Sequence, residues 1–239
     1  MAKMTLEELV SQLRAAYGTS LRSVVLYGSA AAGEHIQKRS DYNVLVVVDA
    51  LDAQRLTAAA AASRAWADAG NPAPLTLTTS EWRGSSDIFP MEYADILERH
   101  RVLYGDPPFD GIKVDLANLR LQLEQEAMGK LIRLRQGLLA SGNDGQRQLE
   151  LLSASASAIM IIFRAFLRMH GEKPPTDNLL LVDAVARRAG FDPAPFARVV
   201  RHVRGEAPLK LAEVGPVLAE YLRGMGQLVT YLDVYHASA

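Results

Sequence analysis

The spacing of apolar residues changes several times over the first hundred or so positions, and each change marks an element. Leu6, Leu9, Val10 and Leu13 recur at helical spacing, and Thr5-Leu6-Glu7-Glu8 ahead of them has the form of a capping box. Two short, nearly continuous apolar runs follow, predicting strands over about 23–28 and 43–48. An alanine-dense helix is predicted from about Asp52 to Ala69, ended by Gly70-Asn71-Pro72 ahead of a strand over 75–79. Pro90 suits the first turn of a short helix running toward His100, and Arg101 to Tyr104 reads as a last strand. Gly105-Asp106-Pro107-Pro108 interrupts the pattern and predicts a domain boundary.

Beyond that break every long segment has helical period. Helices are predicted over about 115–140, 146–170, 177–190, 193–204 and 209–236, with glycine- and proline-bearing breaks between the first four. The most apolar stretch, Leu149 to Leu167, carries Ser153, Ser155, Ser157 and Arg164, which marks a buried helix rather than a membrane span. Its alternating serines and alanines predict close helix–helix approach. The expected fold class is α/β (α+β): residues 1–112 form a short mixed sheet with helices on one side, and residues 113–239 form an all-α helical bundle.

Chemistry concentrates between the first two strands. The run Val24-Val25-Leu26-Tyr27 stops at Gly28-Ser29, a polar stretch follows, and Asp41-Tyr42-Asn43 opens the run Val44 to Val48. A Gly-Ser pair after a buried strand offers unpaired backbone N–H groups and, without a Cβ at Gly28, close approach for a phosphate. In a strand, positions 41 and 43 project to one face, where two carboxylates could bracket Mg²⁺. Asn43 supplies an amide instead. Lys38 and Arg39 in the intervening loop suit phosphate contacts, and His35 could touch a nucleotide. Gly28-Ser29 as a plain strand-ending turn and Asp41 as a loop-to-strand cap are the competing reading of the same residues.

Gly28-Ser29, eleven intervening residues, then Asp41-x-Asn43 between apolar positions resembles the signature of the DNA polymerase beta-like nucleotidyltransferase superfamily, which includes kanamycin nucleotidyltransferase. The segments Phe89 to Ile96 and Arg101 to Asp106 also look like bacterial proteins that carry such a domain with a helical tail. The resemblance implies a triphosphate at Gly28 and Ser29, Mg²⁺ at Asp41 and Asn43, and a third carboxylate on the strand at 75–79. Alternation there offers Thr76 and Thr78, neither acidic, and Glu34, Asp87 or Glu92 are the loop alternatives. The implied activity is transfer of a nucleoside monophosphate from Mg-NTP to a hydroxyl on a small molecule or protein. With one carboxylate where the family uses three, catalysis is expected to be weak or lost. The alternative is a non-catalytic nucleotide-binding or antitoxin-like interaction module.

Composition narrows the field. The chain has 239 residues and no cysteine, so it has no disulfide, thiolate nucleophile or Cys-based zinc site. Met1-Ala2-Lys3-Met4 leads into the first helix without a signal pattern, and a cytoplasmic location is expected, with no membrane partner. Net charge is −4 through residue 112 and +3 beyond it, too weak a basic footprint for nucleic acid. Arg198, Arg201, His202 and Arg204 cluster, and read as a solvated or partnered helix face. Arg164 and His170 resemble the Arg-x(4–6)-His motif of helical ribonucleases, against which stands a simple helix end at His170-Gly171. Helical tails of this kind often dimerise, so a homodimer is among the expected partners, although no decisive patch stands out in the sequence.

Overall fold

The computed structural model describes residues 4–31 and 42–235. Two compact units divide the chain, Met1–Asp115 and Leu116–Ala239. The first contains α1 (Leu6–Tyr17), β1 (Leu21–Tyr27), β2 (Asn43–Val48), α2 (Ala53–Asp68), β3 (Leu75–Thr78), α3 (Thr79–Gly84), α4 (Pro90–Glu98) and β4 (His100–Gly105). Its four strands form a mixed sheet in the order β3-β2-β1-β4, with β1 antiparallel to β2 and β4, and β2 parallel to β3. The fold class is α+β, as the sequence predicts.

Helix α1 starts where its cap dictates. Thr5 accepts from the Glu8 N–H, and the Glu8 carboxylate accepts from the Thr5 N–H at 2.8 Å. Its apolar face places Leu9, Leu13 and Tyr17 on the sheet beside Trp66, Ala59 and Ala62 of α2, against Val24, Leu26, Val44, Val46 and Val48. The opposite face is covered too. Val25, Leu45 and Val47 pack against Trp82 of α3 and Tyr93 and Ile96 of α4, with Phe109, Ile112 and Val114 alongside.

The expectation of helices on one side of the sheet is therefore corrected. The physical reason stands in the strands: Val24 and Val25 point to opposite faces and both are fully buried, and the same holds along Val44 to Val48. The second cover is built from the six-residue α3, the nine-residue α4 and an irregular segment, none of which has a long periodic signature. Trp82 anchors it, stacking on Tyr93 at 4.2 Å and donating its indole N–H to the Pro108 carbonyl at 2.6 Å, while the Tyr93 hydroxyl donates to the Trp82 carbonyl.

The second unit contains α5 (Leu116–Ser141), α6 (Gly145–Met169), α7 (Asn178–Ala189), α8 (Ala194–Arg204) and α9 (Leu211–Val234). Helix α6 runs through its core with Leu152, Ile159, Phe163 and Phe166 fully buried. Among the described residues α6 is the one helix long and apolar enough to cross a membrane, and over half of that stretch is buried inside the unit. Phe163, Phe191, Phe196 and Tyr221 form a continuous aromatic cluster. Close packing at the serine-rich stretch is seen at Ser155, whose hydroxyl lies 3.2 Å from that of Tyr221.

Candidate functional site

Strand β1 ends at Tyr27, opposite Asn43 of β2 on one side and His100 of β4 on the other. Residues facing each other across an antiparallel pair share a face of the sheet. Since Leu45 and Val47 lie on the α3–α4 face, alternation puts Asn43 and Tyr27 on that same face. At Gly28 the chain turns in the left-handed region, with φ +77, which a side chain would resist. Its N–H donates to the Arg99 carbonyl at 2.9 Å and its carbonyl accepts from Ala31 at 3.1 Å. The expectation that Gly28 leaves its own N–H for a phosphate is thus corrected, because the link from α4 to β4 takes it.

What faces Gly28 is polar. A Cβ built there would stand 3.5 Å from Asn43 Nδ2 and 3.7 Å from Asp95 Oδ2. Asp95 projects from α4 and is ion-paired with Arg99 one turn later, whose Nε–H donates to Asp95 Oδ1 at 3.1 Å. The Tyr27 phenol is pushed above its ordinary value by burial first, then by the negative charges of Asp95 and Glu92. Tyr27, Gly28, Asn43, Glu92, Asp95 and Arg99 therefore gather at the end of the sheet where β1 leaves and β2 enters. His100 is exposed, with its Nδ1 2.8 Å from the Ile96 carbonyl and its ring 4.1 Å from that of Phe109.

Of the residues the sequence singles out, Gly28, Ser29 and Asn43 are placed at this end. Asp41, Lys38, Arg39, Glu34 and His35 lie outside the described residues. Thr76 and Thr78 are corrected: Thr76 pairs with Val46, so it lies on the α1–α2 face, where its hydroxyl donates to the Pro74 carbonyl at 3.3 Å, and Thr78 caps α3 by accepting from the Glu81 N–H. Neither shares the face of Asn43. Alternation alone could not decide this, because the parallel register of β3 against β2 sets which residues share a side. Asp95 and Arg99 were missed. Their i, i+4 spacing on the helix that leads straight into a strand was the signal that could have found them.

Asn43 can offer Mg²⁺ a neutral oxygen, while Asp95 is already engaged by Arg99. Among the described residues no three His, Asp or Glu side chains converge as metal ligands. These side chains by themselves do not make up a two-ion site.

No protein-family model matches the chain, and no curated protein matches it in sequence. Among solved structures, that of spectinomycin adenyltransferase AAD(9) from Enterococcus faecialis, with ATP and spectinomycin, matches with a TM-score of 0.58. The match covers 92% of this chain and 98% of that chain at 12% sequence identity. This chain has a nucleotidyltransferase fold. The shared nucleotidyltransferase architecture accounts for a mixed sheet followed by a long helical unit, and at this identity the likeness is one of fold.

The other candidates have structural roles. The Arg164 guanidinium is buried and donates to Asn178 Oδ1 at 2.7 Å. His170 closes α6 as its C-cap, with Nε2 3.2 Å from the Tyr231 hydroxyl and its ring edge-on to Phe166, Tyr231 and Tyr235. Within the basic cluster, Arg198 pairs with Glu213 and Arg204 with Asp177, and His202 Nδ1 accepts from the Leu209 N–H.

Proposed function

We propose that the chain binds a nucleoside triphosphate at the turn after β1, with Gly28, Ser29, Lys38 and Arg39 toward the phosphates and Asp41 and Asn43 toward Mg²⁺. The nucleotidyltransferase-like part spans 1–112 and the helical part 113–239, and the protein works in the cytoplasm. The observation that carries this reading is the positive-φ turn at Gly28 facing Asn43 and Asp95, within a fold shared with an enzyme solved with ATP. The reaction class it supports is transfer of a nucleoside monophosphate to a hydroxyl of a small-molecule acceptor. Asn43 holds that reaction to a low rate, because an amide carries no charge with which to bridge two dications. The second reading, a nucleotide-binding module without catalysis, is favoured by the same amide.

Thermal unfolding of the full chain with ATP, with and without Mg²⁺, tests the binding step. Ligand at about 100 times its dissociation constant adds about 2.7 kcal/mol, roughly 5–10 °C for a chain of this size. The shift is expected in wild type and absent in Asp41→Ala. No shift with any nucleoside triphosphate would overturn the assignment. Asn43→Asp separates the two readings: Mg²⁺-dependent ATP turnover that appears or rises in this variant supports a transferase, and continued inactivity supports the binding module.

A further inference from the structure

Helix α5 has two apolar faces. One, carrying Leu119, Leu123, Ala127, Leu131 and Leu134, is buried in its own unit. The other carries Leu121, Met128, Ile132 and Leu139, exposed by 63, 42, 44 and 84%. At 3.6 residues per turn these four fall within about 20° of one line, a stripe roughly 27 Å long. Single exposed apolar residues are ordinary, whereas a continuous exposed stripe marks an interaction site.

The stripe is palindromic. Its steps of seven, four and seven residues are symmetric about position 130. A two-fold axis there sets Leu121 against the partner's Leu139 and Met128 against the partner's Ile132. The charges agree with that symmetry. Glu124 and Arg135 flank the stripe on the same side, and antiparallel pairing places Glu124 beside the partner's Arg135, twice over. Parallel pairing would put the two Glu124 side chains on opposite flanks of the seam and separate each from the partner's Arg135 along the helix. Glu124 is now held by Arg120 at 3.1 Å, and Arg120 also donates to the Tyr235 and Leu232 carbonyls, so it stays anchored if Glu124 turns away.

A shallow groove of about 750 Å³ adjoins the stripe between α5 and α9. Met128 and Arg135 line both, and Leu222, Gly226, Thr230 and Val234 continue the groove along α9, with Val234 exposed. The α5 stripe alone covers roughly 300 Å² from its length and a helix diameter of about 10 Å, short of the roughly 800 Å² per partner of a stable interface. The α9 side of the groove supplies the extension.

We propose that this face is a homodimer interface, in which two copies pack α5 against α5 antiparallel about a two-fold axis near residue 130. The proposal is independent of the nucleotide reading.

Sedimentation equilibrium of the full chain over a wide concentration range tests it. Wild type is expected to dimerise. Ile132→Asp, at an exposed position, is expected to raise the dimer dissociation constant about tenfold or more, by burying a carboxylate among apolar side chains. Glu124→Arg, which sets like charges together, is expected to weaken the dimer about tenfold, and Glu124→Arg combined with Arg135→Glu to restore it. Circular dichroism of the diluted variants checks that each keeps its helices, and the doubly reversed protein carries the test if Ile132→Asp does not fold. Wild type that stays monomeric at the highest concentration, or a dimer that Ile132→Asp and Glu124→Arg leave unchanged, would overturn the proposal. Failure of the double reversal to restore association would overturn the antiparallel register.

Discussion

Gly28 and Gly105 have nearly the same backbone angle, φ +77 and +76, yet they should respond very differently to an added methyl group. Placing an L side chain in the left-handed region costs about 1–2 kcal/mol. Replacing glycine also narrows the unfolded ensemble, which offsets about 0.4–1 kcal/mol of that. At Gly28 the new Cβ meets Asn43 Nδ2 at 3.5 Å and Asp95 Oδ2 at 3.7 Å, ordinary contacts, so Gly28→Ala should cost only about 1 kcal/mol. At Gly105 the Cβ would fall 1.8 Å from the Arg22 carbonyl oxygen and 3.2 Å from Ser23 Cα. Those atoms belong to β1, whose Ser23 pairs with Gly105, so the strand itself would have to move. Gly105→Ala should therefore cost more than about 4 kcal/mol, a loss seen only where packing fails outright. Urea unfolding followed by circular dichroism measures both, with the slope checked for constancy. Equal losses at the two sites would refute the reasoning, because the shared angle would then outweigh the difference in surroundings. A fully stable Gly28→Ala would refute the left-handed turn. The same variant probes function: a methyl between Asn43 and Asp95 occupies the approach to the turn and should remove the ATP-dependent thermal shift while the fold persists.

Two further outcomes follow from the helical unit. Gly224→Ala would place a Cβ 2.5 Å from Phe196 Cε2 and 2.9 Å from Cζ, forcing the aromatic cluster apart; a loss of about 1–3 kcal/mol in urea unfolding is expected, and an unchanged midpoint would refute the packing. The His170 imidazole is held below its ordinary pKa, by burial first and then by Arg188, with Glu172 opposing. Its unfolded form takes up a proton at higher pH than its folded form, so stability should fall as pH drops through about 6.5 toward the folded pKa, and His170→Gln should flatten that part of the melting-temperature profile.

The two central strands were legible because both are continuous apolar runs, and the capped α1 was legible because Thr5 and Glu8 announce its start. Burial on both faces was written in the same runs, yet of the second cover only the short α4 was legible. Helix α3 is one and a half turns long, and Phe109, Ile112 and Val114 lie in irregular chain, so only their positions against Trp82 and Tyr93 reveal them. The site divides in the same way. Gly28 and Asn43 are local to the strand ends and could be found by spacing. Asp95 is brought to Gly28 by the packing of α4 under the sheet, a relation across 67 residues that no local pattern encodes. Thr76 shows the limit from the other side, since its alternation was read correctly while the register that decides its face was not available.

Asn43 becomes intelligible once Asp95 is in place. Asn43 Nδ2 and Asp95 Oδ2 each lie within 4 Å of one point beside Gly28, so a carboxylate at position 43 would sit near a second carboxylate at the end of a largely buried sheet. Like charges in that setting destabilise the fold unless a cation joins them. Arg99 does not fill that role for both, because its guanidinium is held to Asp95 while its backbone carbonyl fixes Gly28. An amide carries no charge to repel the Asp95 carboxylate and can donate toward it. On the proposed reading, the same amide lacks the charge with which a carboxylate would help hold Mg²⁺. An amide at position 43 on that reading gives up charge toward Mg²⁺ and avoids a carboxylate pair beside Gly28. This is why restoring the carboxylate should be judged on two readouts, turnover and the dependence of unfolding on Mg²⁺, rather than on turnover alone.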